Sequence, residues 1–116
     1  MRQASYKTVL MNEEVRASLP PLYAGEEKGM EALVVVKYFA PWSDWTWYAT
    51  EFDGKDLFFG LVAGFELELG YFSLSELEQA VGPAPLNFPI ERDLYFRPNT
   101  LGYFMDMHKR QRQRSE

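Results

Sequence analysis

Side chains two residues apart on a β-strand share a face. Glu51 with Asp53, and Glu66 with Glu68, are therefore two carboxylate pairs that a sheet could bring together. Converging carboxylates suit Mg²⁺ or Ca²⁺, which prefer oxygen ligands. They also suit acid–base work where burial splits their pKa values. Arg92, within Glu91-Arg92-Asp93, adds a planar fork that can clamp an anionic group bidentately. A carboxylate-based or metal-dependent hydrolase would use Glu51, Asp53, Glu68 and Arg92. Strand alternation also produces such pairs as the solvated face of a half-buried sheet, with Asp53 serving a turn, and that plainer reading is favoured. For Arg92 the plainer role is a tie from its extended segment to an acidic strand such as the one holding Glu51 or Glu68.

A second candidate is aromatic. Trp45 and Trp47 share one strand face and Tyr48 takes the other. Rings of this size usually fill a core. Exposed, they would form a stacking or hot-spot surface, and Trp47 and Tyr48 are then the residues to bind a partner or a single strand of nucleic acid. His108 stands beside a basic terminus, which favours an exposed side chain. Ser73 and Ser75 are accounted for by a helix start.

The composition narrows these options. The chain has 116 residues, is 47% hydrophobic and 16% aromatic, and contains no Cys and one His. That is one domain with an ordinary core. Disulfides, thiolate metal sites, iron–sulfur clusters, thiol nucleophiles and multi-histidine metal sites are excluded. No nucleophile elbow, phosphate-binding Gly-rich loop or dinucleotide fingerprint is present, and no cofactor is expected. No apolar run approaches the ~20 residues of a membrane helix. The N-terminus lacks a signal-peptide pattern, so the expected location is cytoplasmic.

The net charge of −5 is unevenly spread. Up to Met107 there are 8 Lys and Arg against 16 Asp and Glu; from His108 onward there are 4 against 1. An acidic body repels phosphate backbones and attracts basic surfaces. The terminal run Lys109-Arg110-Gln111-Arg112-Gln113-Arg114 has no apolar residue. It is expected to be a solvated, disordered tail over residues 108–116, and only this tail offers nucleic acid a contact.

The elements that must position these groups follow from pattern. Asn12 caps a helix over Glu13–Ser18, which Pro20 and Pro21 end. Strands are expected at 33–39, 45–52, 57–63 and 67–72, with a turn at Asp53-Gly54. Gly60 signals a bulge or a close approach by a neighbouring aromatic ring. Ser73-Leu74-Ser75-Glu76 is a capping box for a helix that aligns Leu74, Leu77 and Val81, with Gly82 as a left-handed C-terminal residue. Tyr95-Phe96 is a candidate edge strand, and Leu101–Met107 a short helix or packed strap. The result is one α+β domain over residues 1–107. It has an antiparallel meander of four to five strands with two or three short helices packed on one face.

Five stretches carry a resemblance: Leu19-Pro20-Pro21-Leu22-Tyr23, Trp45-Thr46-Trp47-Tyr48-Ala49-Thr50-Glu51-Phe52-Asp53-Gly54, Phe58-Phe59-Gly60-Leu61-Val62, the segment from Glu68 to Leu77, and Pro89-Ile90-Glu91-Arg92-Asp93-Leu94-Tyr95-Phe96. Together they resemble a bacterial domain-of-unknown-function family, number 2958, found on conjugative plasmids and other mobile elements. The resemblance spans about Leu19 to Phe96 and leaves out the basic tail. It brings no activity, cofactor or catalytic residue. It implies an accessory role beside mobile DNA, against host defence or in transfer. Joined to the acidic body, it points to a non-enzymatic protein-binding module. The expected partner is a basic, nucleic-acid-binding protein such as a host defence nuclease. The hydrolase and a weak single-strand binder are the alternatives.

Overall fold

The computed structural model describes residues 9–114. Helix α1 spans Glu13–Ser18, and the Asn12 side chain accepts from the Val15 N–H at 2.7 Å. A 3-10 helix follows over Glu26–Glu31. The apolar run expected as one strand divides into β1, Leu33–Val34, and β2, Val36–Phe39. Strands β3 (Thr46–Phe52), β4 (Leu57–Ala63) and β5 (Leu67–Ser73) form the meander. Helix α2 covers Leu74–Gln79. Short strands β6 (Glu91–Arg92) and β7 (Asn99–Thr100) lead into α3, Leu101–Arg114.

The main sheet has five strands in the order β5-β4-β3-β2-β6, all neighbours antiparallel, and β1 pairs with β7 separately. The hairpin between β3 and β4 closes where Gly54 takes φ 87°, and the Asp53 Oδ1 accepts the amides of Lys55, Asp56 and Leu57. These amide donors hold the Asp53 carboxyl below its ordinary pKa. The bulge lies in β3, between Ala49 and Glu51. Opposite it, a Cβ on Gly60 would sit 1.8 Å from the Tyr48 carbonyl oxygen, so only glycine fits. The close approach expected at Gly60 is therefore made by backbone and not by a ring.

Both faces of the sheet are covered, which corrects the expectation of helices on one face. Val36, Tyr38, Ala49, Phe58 and Phe72 build one core with Leu74 and Leu77 of α2, and Val15 of α1 packs against it. Tyr48 and Leu61 build the other with Ala32, Val34, and Leu101 and Phe104 of α3. Tyr48 stacks on Phe104 at a centroid distance of 4.6 Å.

The expected disordered tail is also corrected over residues 108–114, through which α3 continues, while 115 and 116 lie outside the described residues. Leu101, Phe104, His108 and Arg112 recur at helical spacing, so the sheet-facing stripe goes on in polar residues after the apolar ones stop. His108 Nε2 bonds the Tyr48 hydroxyl at 2.7 Å, and Arg112 donates to the carbonyls of Phe65 and Gly64 at 2.8 and 2.6 Å. Cations in the last turn also complement the helix dipole. At the start of α3, the Thr100 hydroxyl accepts from the Tyr103 N–H.

Three smaller expectations change. Helix α2 ends at Gln79, with Val81 exposed, and Gly82 is not among the positive-φ residues. Gly82 is small because Trp42 lies on it, 2.8 Å from where a Cβ would stand. The edge strand is Glu91–Arg92, paired with Phe39 and Tyr38, and not Tyr95-Phe96; Tyr95 is 90% exposed.

Candidate functional site

The functional candidates gather on the face crossed by α3, at the helix's two ends. The first is a cavity of about 310 Å³ at its N-terminal end. Leu101, Ala32, Met30, Phe59, Leu69 and Tyr71 give it mainly apolar walls. Strand β5 is an edge of the sheet, and Leu69 and Tyr71 stand 45% and 51% exposed on it. Contiguous exposed apolar groups at a cavity mouth mark binding surfaces on soluble domains.

Glu51 borders this cavity but is only 5% exposed. Its Oε1 accepts the Tyr23 N–H at 2.7 Å and its Oε2 the Gly25 N–H at 2.8 Å. A carboxylate whose two oxygens are each occupied by an amide is a clamp on the incoming loop. It holds Tyr23 at φ 74°, a conformation that costs a non-glycine residue energy unless its surroundings enforce it. The Tyr71 phenol lies beside that of Tyr23, and this neighbour raises its pKa.

The acids expected to converge do not. Glu51 pairs with Phe59 and points to the α3 face, whereas Glu68 lies opposite Val62 on the other. Glu66 is exposed at the entry to β5, and Asp53 is folded into its turn. Among the described residues no three His, Asp or Glu side chains are grouped as metal ligands. Arg92 sits on edge strand β6, with β2 between it and the strand of Glu51, and its Nε donates to the Val9 carbonyl at 2.8 Å. The carboxylate that sequence reasoning passed over is Asp56. It receives the Ser73 and Ser75 hydroxyls and the Ser75 N–H, which hold its pKa low and join the hairpin to α2.

The second candidate is a cleft of about 810 Å³ where the C-terminal half of α3 passes the ends of β2 and β3. Lys37, Tyr48, His108 and Arg112 line it, with Trp45 and Phe65 at the aromatic side and Asp44 beside them. Trp45 and Phe65 meet edge to face at 5.3 Å, and Trp45 lies 5.9 Å from Trp47. Trp47 itself packs against the α2-side core, while Tyr48 faces α3, as the alternation requires. Burial raises the Tyr48 pKa. Burial lowers that of His108, and the nearby charges of Arg112 and Lys37 lower it further. His108 is thus half-buried and bonded, not the exposed residue expected. Its helical spacing from Leu101 and Phe104 was the signal that could have placed it.

No helix among the described residues is long and apolar enough to cross a membrane. No curated protein matches the chain, and no solved structure does. The family model of a protein of unknown function, DUF2958, matches residues 5–113 and so takes in α3 as well as the meander. That match covers nearly the whole sequence, and the chain belongs to this family.

Proposed function

We propose that this chain is a protein-binding module. It takes an extended, basic and apolar segment of a partner protein along the β5 edge. One observation carries this reading: Leu69 and Tyr71 stand half-exposed on an open edge strand, over a mainly apolar cavity. An edge strand offers a ladder for an added strand, and side chains two apart on that strand would enter the cavity. Carboxylates flank the edge at Glu66 and Glu68, and Glu26 lines the cavity. They favour Lys or Arg between the apolar anchors and speed encounter with a basic surface. The acids that a hydrolase would need together are spread over two faces and a turn, so binding accounts for more of what is seen.

The resemblance of the sequence motifs to mobile-element proteins suggests the setting. A cytoplasmic, nucleic-acid-binding partner, such as a host defence nuclease or a transfer protein, has the basic surface this edge would meet. Selection from a displayed library of ten-residue peptides tests the reading. Selected peptides should alternate apolar residues with Lys or Arg. Leu69→Asp should abolish their binding, and Glu66→Lys with Glu68→Lys should weaken it by roughly tenfold at low salt. Peptides without that alternation, or binding indifferent to Leu69→Asp, would contradict it.

A further inference from the structure

The α3 cleft is separate from the β5 edge, and the reading given for that edge does not depend on it. Lys37, His108 and Arg112 come from two elements, β2 and α3, and line one concavity around the Tyr48 hydroxyl. With His108 neutral, the lining sets Lys37 and Arg112 against Asp44, in a chain whose net charge is −5. Two carboxylates face the group. Asp93 pairs with Lys37 at 3.6 Å, and Asp44 lies at the aromatic side of the cleft. On α3, Asp106 is exposed and absent from the lining. Burial lowers the His108 pKa first, and the charges of Lys37 and Arg112 lower it further, so two cations stand beside a neutral imidazole. A bound anion would offset those charges.

The other wall is aromatic. Phe65 is 88% exposed and is held at the cleft by its ring contact with Trp45 and by the Arg112 bond to its carbonyl. A ring left in water beside cations is a stacking platform for a planar group. The volume of about 810 Å³ lies within the range of small-molecule sites.

We propose that this cleft binds a nucleotide 5′-phosphate. The phosphate is held by Lys37, His108 and Arg112 with the Tyr48 hydroxyl, and the base lies against Phe65 and Trp45. The nucleotide is either free or the terminal residue of a single strand. Ser43 and Asp44 stand in the lining where they can meet ribose hydroxyls or a base amino group.

The test is titration of the full chain with adenosine 5′-monophosphate, followed by calorimetry and tryptophan fluorescence. Adenosine, inorganic phosphate and a 5′-phosphorylated oligothymidylate are run alongside. The monophosphate should bind at least about tenfold more tightly than adenosine or phosphate alone, since each lacks one half of the contacts. Lys37→Gln should weaken it about five- to tenfold, as the loss of one charge-assisted contact does, and His108→Gln about two- to threefold, as the loss of a contact from a neutral imidazole does. Arg110→Gln, on the exposed side of α3, should change it by less than about twofold. Phe65→Ala removes an exposed ring without touching the core, and it should lower affinity for the monophosphate while sparing that for phosphate. Tighter binding of the oligonucleotide identifies a strand end as the source, and tighter binding of the monophosphate a free nucleotide. Three results would overturn the proposal: no binding of either at millimolar concentration, inorganic phosphate binding as tightly as the monophosphate, or Arg110→Gln costing as much as Lys37→Gln.

Discussion

The two ends of α3 solve opposite problems on one sheet face. At the N-terminal end a carboxylate is buried and both its oxygens are satisfied: Glu51 receives the amides of Tyr23 and Gly25. Its charge is spent on holding a loop, and what remains exposed there is apolar. At the C-terminal end Lys37, His108 and Arg112 are only partly buried, tied in part by Asp93, Tyr48 and the carbonyls of Gly64 and Phe65, and they still line an open cleft. The difference teaches that charge in a sequence does not locate a charged site. Hydrogen-bond satisfaction decides whether an ionised group serves the fold or faces a ligand.

Phe104 lies in the core beneath α3 and should give the largest effect. Stacked on Tyr48 and packed with Phe96, it holds the helix that walls both concavities. Phe104→Ala should cost about 4 kcal/mol in chemical denaturation, mostly through the cavity left behind, and should perturb both ends together. Separate responses of the two ends would break the view that α3 is their common wall. Glu51→Ala should come next, at about 3 kcal/mol, because two amides lose a charged acceptor. It should act on the β5 end alone, while Glu51→Gln, which keeps one oxygen, should lose roughly half as much.

Tyr48→Phe removes the hydroxyl from His108 while leaving the ring stack, and about 1 kcal/mol of stability should go with it. The pH dependence sharpens the contrast. His108 has a lowered pKa when folded, so the unfolded chain binds its proton more readily. The stability this contributes is complete above the unfolded value of about 6.5. It declines as pH falls from there through the lower folded value. Denaturation midpoints should therefore fall across that window in the native chain and stay flatter in His108→Gln. The smallest effect belongs to Arg112→Gln, about 0.5 to 1 kcal/mol at a part-exposed site. It should fray the last turn of α3, read as a small loss of helical circular dichroism.

Much of the framework was legible. Alternation and turn chemistry located β3, β4 and β5. Asn12 and Ser73 marked their helix starts, and Gly60 marked the crowded register beside the bulge. The site was less legible, for a physical reason in each case. Glu51 and Asp53 obey the spacing of a solvated pair, but the bulge after Ala49 and the capture of Asp53 by three amides send them to different tasks. Residues 108–114 have no apolar side chain to predict packing, and their helix is anchored by polar bonds to a distant tyrosine and two carbonyls. The apolar mouth at Leu69 and Tyr71 reads in the sequence as ordinary strand residues. Its exposure depends on β5 ending the sheet, which only the strand order decides.

The most direct test of the docking account is amide chemical-shift mapping with a basic, apolar ten-residue peptide obtained by selection. The account predicts shifts concentrated in Leu67–Ser73 and around Tyr23 and Met30, slowed amide exchange along β5, and quiet resonances at Lys37 and His108. Shifts centred on the α3 cleft, or spread evenly over the acidic surface with β5 amides unprotected, would contradict it.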